Sequence, residues 1–240
     1  MKRIVIMGAS SGIGREVARQ FIEMGWIVGI ASRRTAPLME LQQVAPDRVF
    51  TSVIDVQSEE APEVLLALIE RMGGADIYLH SSGIGHQNKE LDPQIEIETL
   101  RTNGVGFVRM ITAAFNHFKG QSGGGHIAAI TSVAGTRGGG NAPAYSAVKA
   151  MQSRYLDGLA QLSNGEKLGV TITDILPGFV ATPLIQECRY PMVMDVEYAS
   201  RKIVRAIVKR RRRVVVDWRY SLLIAVWRLI PRYVWERMKL

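Results

Sequence analysis

Met7-Gly8-Ala9-Ser10-Ser11-Gly12-Ile13-Gly14 stands between a β-branched run, Ile4-Val5-Ile6, and a stretch, Ile13–Met24, whose apolar residues recur at helical spacing. Strand, glycine turn and helix in that order bring unpaired N–H groups and the positive end of a helix to the carboxyl edge of a strand. A pyrophosphate is stabilised at such a place. Glycine lets the backbone turn tightly and approach the phosphates closely. The spacing is Gly-x-x-x-Gly-x-Gly, a variant of the general dinucleotide fingerprint.

Outward from this loop, short apolar runs alternate with longer helical patterns. Strands are predicted at Ile4–Met7, Trp26–Ala31, Arg48–Ile54, Ile77–His80, His126–Thr131, Val170–Leu176 and Arg213–Val216. Helices are predicted at Ile13–Met24, Leu38–Val44, Glu59–Met72, Ala144–Leu162 and Val196–Lys209, with one or two more within Ile95–Phe118. Continuous apolar strands alternating with helices imply a parallel sheet covered on both faces. Right-handed crossovers then give an α/β, doubly wound, mostly parallel seven-stranded sheet of Rossmann-like type. Residues 1–217 read as one dinucleotide-binding and catalytic domain, and 218–240 as a basic amphipathic extension.

A chain of 240 residues suits one such domain and buries enough surface to need no disulfide. The lone cysteine, Cys188, forbids an internal disulfide and points to a reducing compartment, with no neighbouring base to make it a nucleophile. The net charge of +8 is uneven: residues 201–240 hold 13 Lys/Arg against 2 Asp/Glu, while 1–200 hold 17 against 20. Met1–Met7 is too short an apolar run for a signal peptide, and no stretch reaches the roughly 18 apolar residues of a membrane span. A cytoplasmic protein, peripheral at the inner membrane surface through its tail, is the expectation.

The end of the second strand selects the cofactor. It reads Ala31-Ser32-Arg33-Arg34-Thr35, without the carboxylate that would bind a ribose 2′-hydroxyl. The guanidinium groups of Arg33 and Arg34 suit a 2′-phosphate, so NADP(H) is preferred over NAD(H).

Tyr145 and Lys149 lie four residues apart in a helical segment and share a face. A free phenol has a pKa of about 10 and is a poor base at neutral pH, and a nearby cation lowers it. Ser132 closes the strand Ala128–Thr131, where its hydroxyl could polarise a carbonyl as charge develops on oxygen.

On these residues the chain resembles the short-chain dehydrogenase/reductase family over residues 1 to about 217. Gly8, Gly12 and Gly14 match its cofactor loop, in which Ser10, Ser11 and Ile13 also stand. Ser132, Tyr145 and Lys149 match its catalytic Ser, Tyr and Lys, and Asn103 in Leu100–Val105 its catalytic Asn. Asp55-Val56 matches a pair contacting the adenine. Pro177-Gly178-Phe179-Val180-Ala181-Thr182 matches a segment in which Val180 and Thr182 contact the nicotinamide side. The resemblance implies that Tyr145 exchanges a proton with the substrate oxygen and that Ser132 hydrogen-bonds it. It implies that Lys149 lowers the Tyr145 pKa and holds the ribose, and that Asn103 anchors a water. It also implies a homodimer or homotetramer built partly through the helix of Tyr145.

Two positions depart from the family. Met7 stands where it usually has Thr, and Ser81-Ser82-Gly83-Ile84 where it usually has Asn-Asn-Ala-Gly. Ser82 and Gly83 are still expected at the cofactor, but with different bracing of the loop and weaker or reorganised binding.

Leu184–Val196 corresponds to the family's substrate lid. Its Leu184, Ile185, Pro191, Met192, Val193 and Met194 suit an apolar ketone such as a 3-oxo lipid or steroid, or they pack on the core. His80, His86, His117 and His126 lack metal-ligand spacing, so no metal is expected; His86 is a candidate pocket residue. In the tail, Leu222, Leu223, Val226, Trp227, Ile230, Val234 and Met238 recur at helical spacing among arginines, interrupted by Pro231. Such a segment suits a membrane surface, or packs against the body or a partner subunit. A polybasic run alone specifies no nucleic-acid reader, and none is expected. The competing function is a non-catalytic NADP(H)-sensing or scaffold protein that kept the fold. The Asn103, Ser132, Tyr145 and Lys149 set argues against it. A sugar-nucleotide epimerase would need a longer C-terminal domain.

Overall fold

Seven short apolar runs, each flanked by turn residues, assemble into one sheet in the computed structural model, which describes residues 2–185 and 190–238. The strands are β1 (Arg3–Met7), β2 (Ile27–Ser32), β3 (Val49–Val53), β4 (Ile77–His80), β5 (Gly125–Ile130), β6 (Val170–Leu176) and β7 (Arg213–Val215). Their order is β3-β2-β1-β4-β5-β6-β7, and every pairing is parallel, so the expected "mostly parallel" sheet is wholly so among the described residues.

The period of two along a strand assigns the faces. In β1, Ile4 and Ile6 join one apolar cluster with Val17 and Phe21 of α1 (Gly12–Glu23), Leu38 of α2 (Ala36–Val44) and Ile203 of α7 (Val196–Val208). Val5 and Met7 join the other, with Leu65 of α3 (Ala61–Arg71), Phe107 and Met110 of α5 (Phe107–Lys119) and Leu156 of α6 (Pro143–Gly165).

The predicted helical stretch Ile95–Phe118 divides. α4 (Pro93–Leu100), capped by Asp92, runs into a π-helical turn at Arg101–Gly106 before α5 begins. A π-turn inserts a residue into the helical ladder and is frequent at functional sites; Asn103 lies within this one.

The tail continues as α8 (Trp218–Leu229), capped by the buried Asp217, and α9 (Arg232–Trp235). Proline at 231 ends the first helix, because its ring forbids continuation. α8 lies against the body, with Tyr220 and Ile224 buried in the first apolar cluster. Among the described residues no helix is long and apolar enough to cross a membrane. Cys188 and part of the expected lid, as well as Lys239 and Leu240, lie outside the described residues.

Candidate active site

Parallel strands all end on one edge, and the order reverses between β1 and β4, where a crevice opens in such sheets. The glycine loop leaves β1 there. Gly8 has φ of +91°, and a Cβ on it would stand 2.6 Å from the Ser82 backbone nitrogen. A Cβ on Gly14 would overlap the Gly8 carbonyl oxygen. The loop is therefore backbone packed on backbone, which only glycine permits. Gly8 N–H donates to the Ala31 carbonyl at 2.8 Å, and Ser81 N–H to the Met7 carbonyl at 2.8 Å. The Ser81 bond continues the main-chain pairing of β4 with β1.

Among the described residues no side chain caps α1, so its first N–H groups are left for an anion. Arg34 reaches across from the end of β2. Its Nη2 donates to Ser10 Oγ at 2.9 Å and to Ser11 Oγ at 2.8 Å. Arg33, which sequence reading weighted equally, is exposed and is not drawn to the loop in this way. Asp55 is exposed, whereas Val56 is buried and lies against Gly106. The free helix terminus, the glycine cradle and the arginine beside two hydroxyls together fit a dinucleotide carrying phosphate charge.

Ser132 follows β5 directly, and Tyr145 and Lys149 come from the first and second turns of α6. Tyr145 is partly exposed and Lys149 is buried. Burial pushes the Tyr145 phenol above its ordinary pKa, a hydrogen bond with Ser132 pulls it down, and Tyr190 pushes it up. Lys149 Nζ stands 5.7 Å from the Tyr145 ring centroid but donates to the Ile130 carbonyl at 3.0 Å. Burial lowers the Lys149 pKa to about 8, while the charge of buried Asp174 works against that fall.

Asn103 is fully buried and clamps the backbone of one residue on both sides: its Oδ1 accepts from Ile84 N–H at 2.9 Å, and its Nδ2 donates to the Ile84 carbonyl at 2.6 Å. Gly83 fits between, since a Cβ there would lie 3.1 Å from Asn103 Oδ1 and 3.9 Å from Lys149 Nζ. The segment that departs from the family pattern is therefore held by Asn103.

On the far wall, Pro177 accepts from Val133 N–H at 3.0 Å, and Thr182 faces Gly12. Val180 bridges Met194 of the lid. Phe179 stacks on Tyr190 at 3.9 Å between centroids. Gly85 lies between the Tyr145 ring and Leu184. His86 is exposed. Among the described residues no cluster of His, Cys, Asp or Glu could hold a metal.

Sequence reading missed three contributors. Gln152 Nε2 donates to the Asn103 carbonyl at 2.7 Å; its place seven residues after Tyr145, on the same helical face, was an available signal. Asp174, buried on β6, accepts from Thr131 Oγ1 at 2.6 Å and lies near Arg213. Tyr220 of α8 seats its ring on Gly178 and accepts from Phe179 N–H at 3.0 Å; no local pattern marks it.

The sequence profile described as short chain dehydrogenase matches residues 2–192. An uncharacterized oxidoreductase of Mycobacterium tuberculosis is 30% identical over 96% of this chain and 95% of its own length. One of Myxococcus xanthus is 29% identical over 97% and 94%. A short-chain dehydrogenase from Streptomyces avermitilis superposes with a TM-score of 0.79 at 22% identity, covering 94% of this chain and 92% of that one. One from Sphingobium yanoikuyae, in complex with NADPH, gives 0.79 at 20% identity, covering 100% and 97%.

Proposed function

The chain belongs to the short chain dehydrogenase family of oxidoreductases, and from that premise we propose that it transfers a hydride between NADP(H) and an apolar carbonyl or the matching alcohol. The observation that carries this reading is the convergence of Ser132, Tyr145 and Lys149 on the sheet edge that also bears the glycine loop.

Gly8, Ser10, Ser11, Gly12, Ile13 and Gly14 hold the pyrophosphate side. Arg34, with Arg33, holds the 2′-phosphate, and Asp55 and Val56 the adenine. Ser82, Gly83, Asn103, Tyr145, Lys149, Pro177, Gly178, Val180 and Thr182 line the nicotinamide side. The bonds from Arg34 to Ser10 and Ser11 support the NADP(H) preference, and the Sphingobium relative binds NADPH. When bound, the nicotinamide supplies or accepts the hydride.

The chain's own residues handle the proton. In reduction, Tyr145 donates its phenolic proton to the substrate oxygen, and Ser132 donates a hydrogen bond to that oxygen. Lys149 in its ammonium form stabilises the resulting phenolate. In oxidation the proton moves the other way. Asn103 positions the Ile84 backbone and Gly83 against Lys149. Met194 is buried in the first apolar cluster, with Phe179 and Met192 packed against it; Leu184, near Gly85 and the Tyr145 ring, offers an apolar contact suited to a 3-oxo lipid or a steroid-like ketone.

An apolar groove of about 690 Å³ crosses α5 and α6, lined by Leu100, Val105, Val108, Val148 and Met151. It supports a homodimer or homotetramer joined at the helix of Tyr145. The single cysteine in 240 residues supports a cytoplasmic enzyme. The departures at Met7 and at Ser81-Ser82-Gly83-Ile84 lead us to expect an NADPH Kd weaker than about 1 µM; sub-micromolar binding measured by titration would contradict it.

NADPH oxidation, followed by absorbance against long-chain 3-oxo compounds and steroid-like ketones with NADH as comparator, tests the function. Turnover with NADPH preferred is expected. NADPH binding without turnover on any member would turn the reading to a sensor or scaffold.

A further inference from the structure

α8 is apolar on two opposite faces. At 100° per residue, Tyr220, Ile224 and Trp227 point one way, and Trp218, Leu222, Val226 and Leu229 the other. The first face is accounted for. Tyr220 and Ile224 are buried. Arg137 donates to the carbonyls of Trp227 and, at 2.9 Å, Ile230, and stands 4.4 Å from the Trp235 ring. Trp235 Nε1 donates to the Gly138 carbonyl at 2.9 Å. These bonds fix the orientation of α8 and α9 on the body.

Among the described residues the second face is open to solvent. Trp218 is 71% exposed, Leu222 59% and Leu229 83%. Val226 belongs to the same stripe, and Tyr233 on α9 is exposed as well. Such a patch on a water-soluble surface marks an interaction site. Arg219, paired with Asp217 at 3.0 Å, and Arg228 stand on its two flanks, and residues 217–238 hold four arginines against Asp217 and Glu236.

We propose that this outward face docks the protein on an anionic bilayer surface. Apolar side chains including Trp and Tyr at the acyl boundary, with guanidinium groups at headgroup level, match the chemistry of an interfacial helix. A second copy of this chain is disfavoured by charge, because a twofold contact would set the arginines of one face against those of the other.

The docking helix also touches the substrate side. Tyr220 Oη accepts from Phe179 N–H and donates to the Met192 carbonyl at 3.0 Å, so the anchored helix carries the wall of the proposed pocket. An apolar ketone dissolved in the bilayer would then reach the pocket without crossing bulk water. This consequence rests on the function proposed above; the docking does not.

Co-sedimentation of the full chain, without nucleotide, with phosphatidylcholine vesicles and with vesicles containing about one-third phosphatidylglycerol tests it. Binding to the anionic vesicles only, weakened by ~1 M salt, is expected. Trp218→Ser/Leu222→Ser/Leu229→Ser should reduce the partition coefficient at least ~30-fold, with its unfolding midpoint retained because these side chains are exposed. Arg228→Glu/Arg232→Glu should lower anionic binding while leaving the apolar stripe intact. No binding by the wild-type chain, or equal pelleting by the triple variant, overturns the proposal. Self-association abolished by the triple variant, without vesicle binding, assigns the face to a second copy and overturns it too. Vesicle binding is scored without turnover, so failure of the reductase reading is recorded separately.

Discussion

Two glycine turns flank the crevice and are built in opposite ways. At Gly8 and Gly14 the chain packs its own backbone on backbone nearby, against Ser82 and Gly8 itself. At Gly178 the backbone is covered by a side chain, the ring of Tyr220, from a helix some forty residues later. The first turn is a rigid cradle made of main chain from the turn after β1 and from the segment after β4. The second is a wall whose position depends on whether the tail is seated.

Substitution separates the two designs. Gly14→Ala drives a Cβ into the Gly8 carbonyl, and no second change removes a backbone atom. NADPH affinity should fall by at least ~100-fold, and Ser81→Ala should not restore it; fluorescence titration checks this. Gly178→Ala drives its Cβ into the Tyr220 ring and should destabilise the fold. In a Tyr220→Ala background the same change should cost little, a coupling that a double-mutant cycle of unfolding free energies measures. Equal cost in both backgrounds would erase the contrast.

Arg34 sharpens the cradle side. Removing a charge-assisted partner costs about 1.5–3 kcal/mol, so Arg34→Ser should raise the NADPH KM roughly 10- to 100-fold. The NADH KM should hardly change. A parallel rise for both cofactors would remove Arg34 from the 2′-phosphate.

Two pH effects follow from burial. Lys149 loses its proton at about 8, so kcat/KM for reduction should decline above that pH, approaching tenfold per unit. His80 and His126 are held neutral by burial, with pKa values lowered to about 3 and about 4. The unfolded chain binds protons at these groups from about pH 6.5 downward, and the native chain does not. Stability is therefore lost as pH falls from about 6.5 toward about 4, by about 1.4 kcal/mol per pH unit for each histidine. Denaturant titrations across that range measure the slope; a flat profile would place these rings in contact with solvent.

The same contrast explains what could be read beforehand. β1, the glycine loop and α1 are contiguous, so strand period, turn residues and helix period declare them together. Tyr145 and Lys149 were legible because a helix turns four-residue spacing into proximity. Gln152 lies on that face and was overlooked. Tyr220 was not legible, because its role is set by the seating of α8 rather than by its neighbours in the chain. The tail's periodicity was visible as apolar and basic. That α8 has both a packed and an open face emerged only when its inner half found Gly178 and Arg137. The choice between Arg33 and Arg34 likewise depended on which guanidinium the loop serines meet.

The central claim is that Tyr145 moves the proton at a reducing site. The direct measurement is kcat of Tyr145→Phe beside the wild-type chain, under saturating NADPH with an apolar ketone that the wild-type chain turns over. The account predicts unchanged NADPH binding and a kcat lower by a factor of about 100 to 10,000. A kcat within about twofold of wild type would mean that another group supplies the proton and would contradict it.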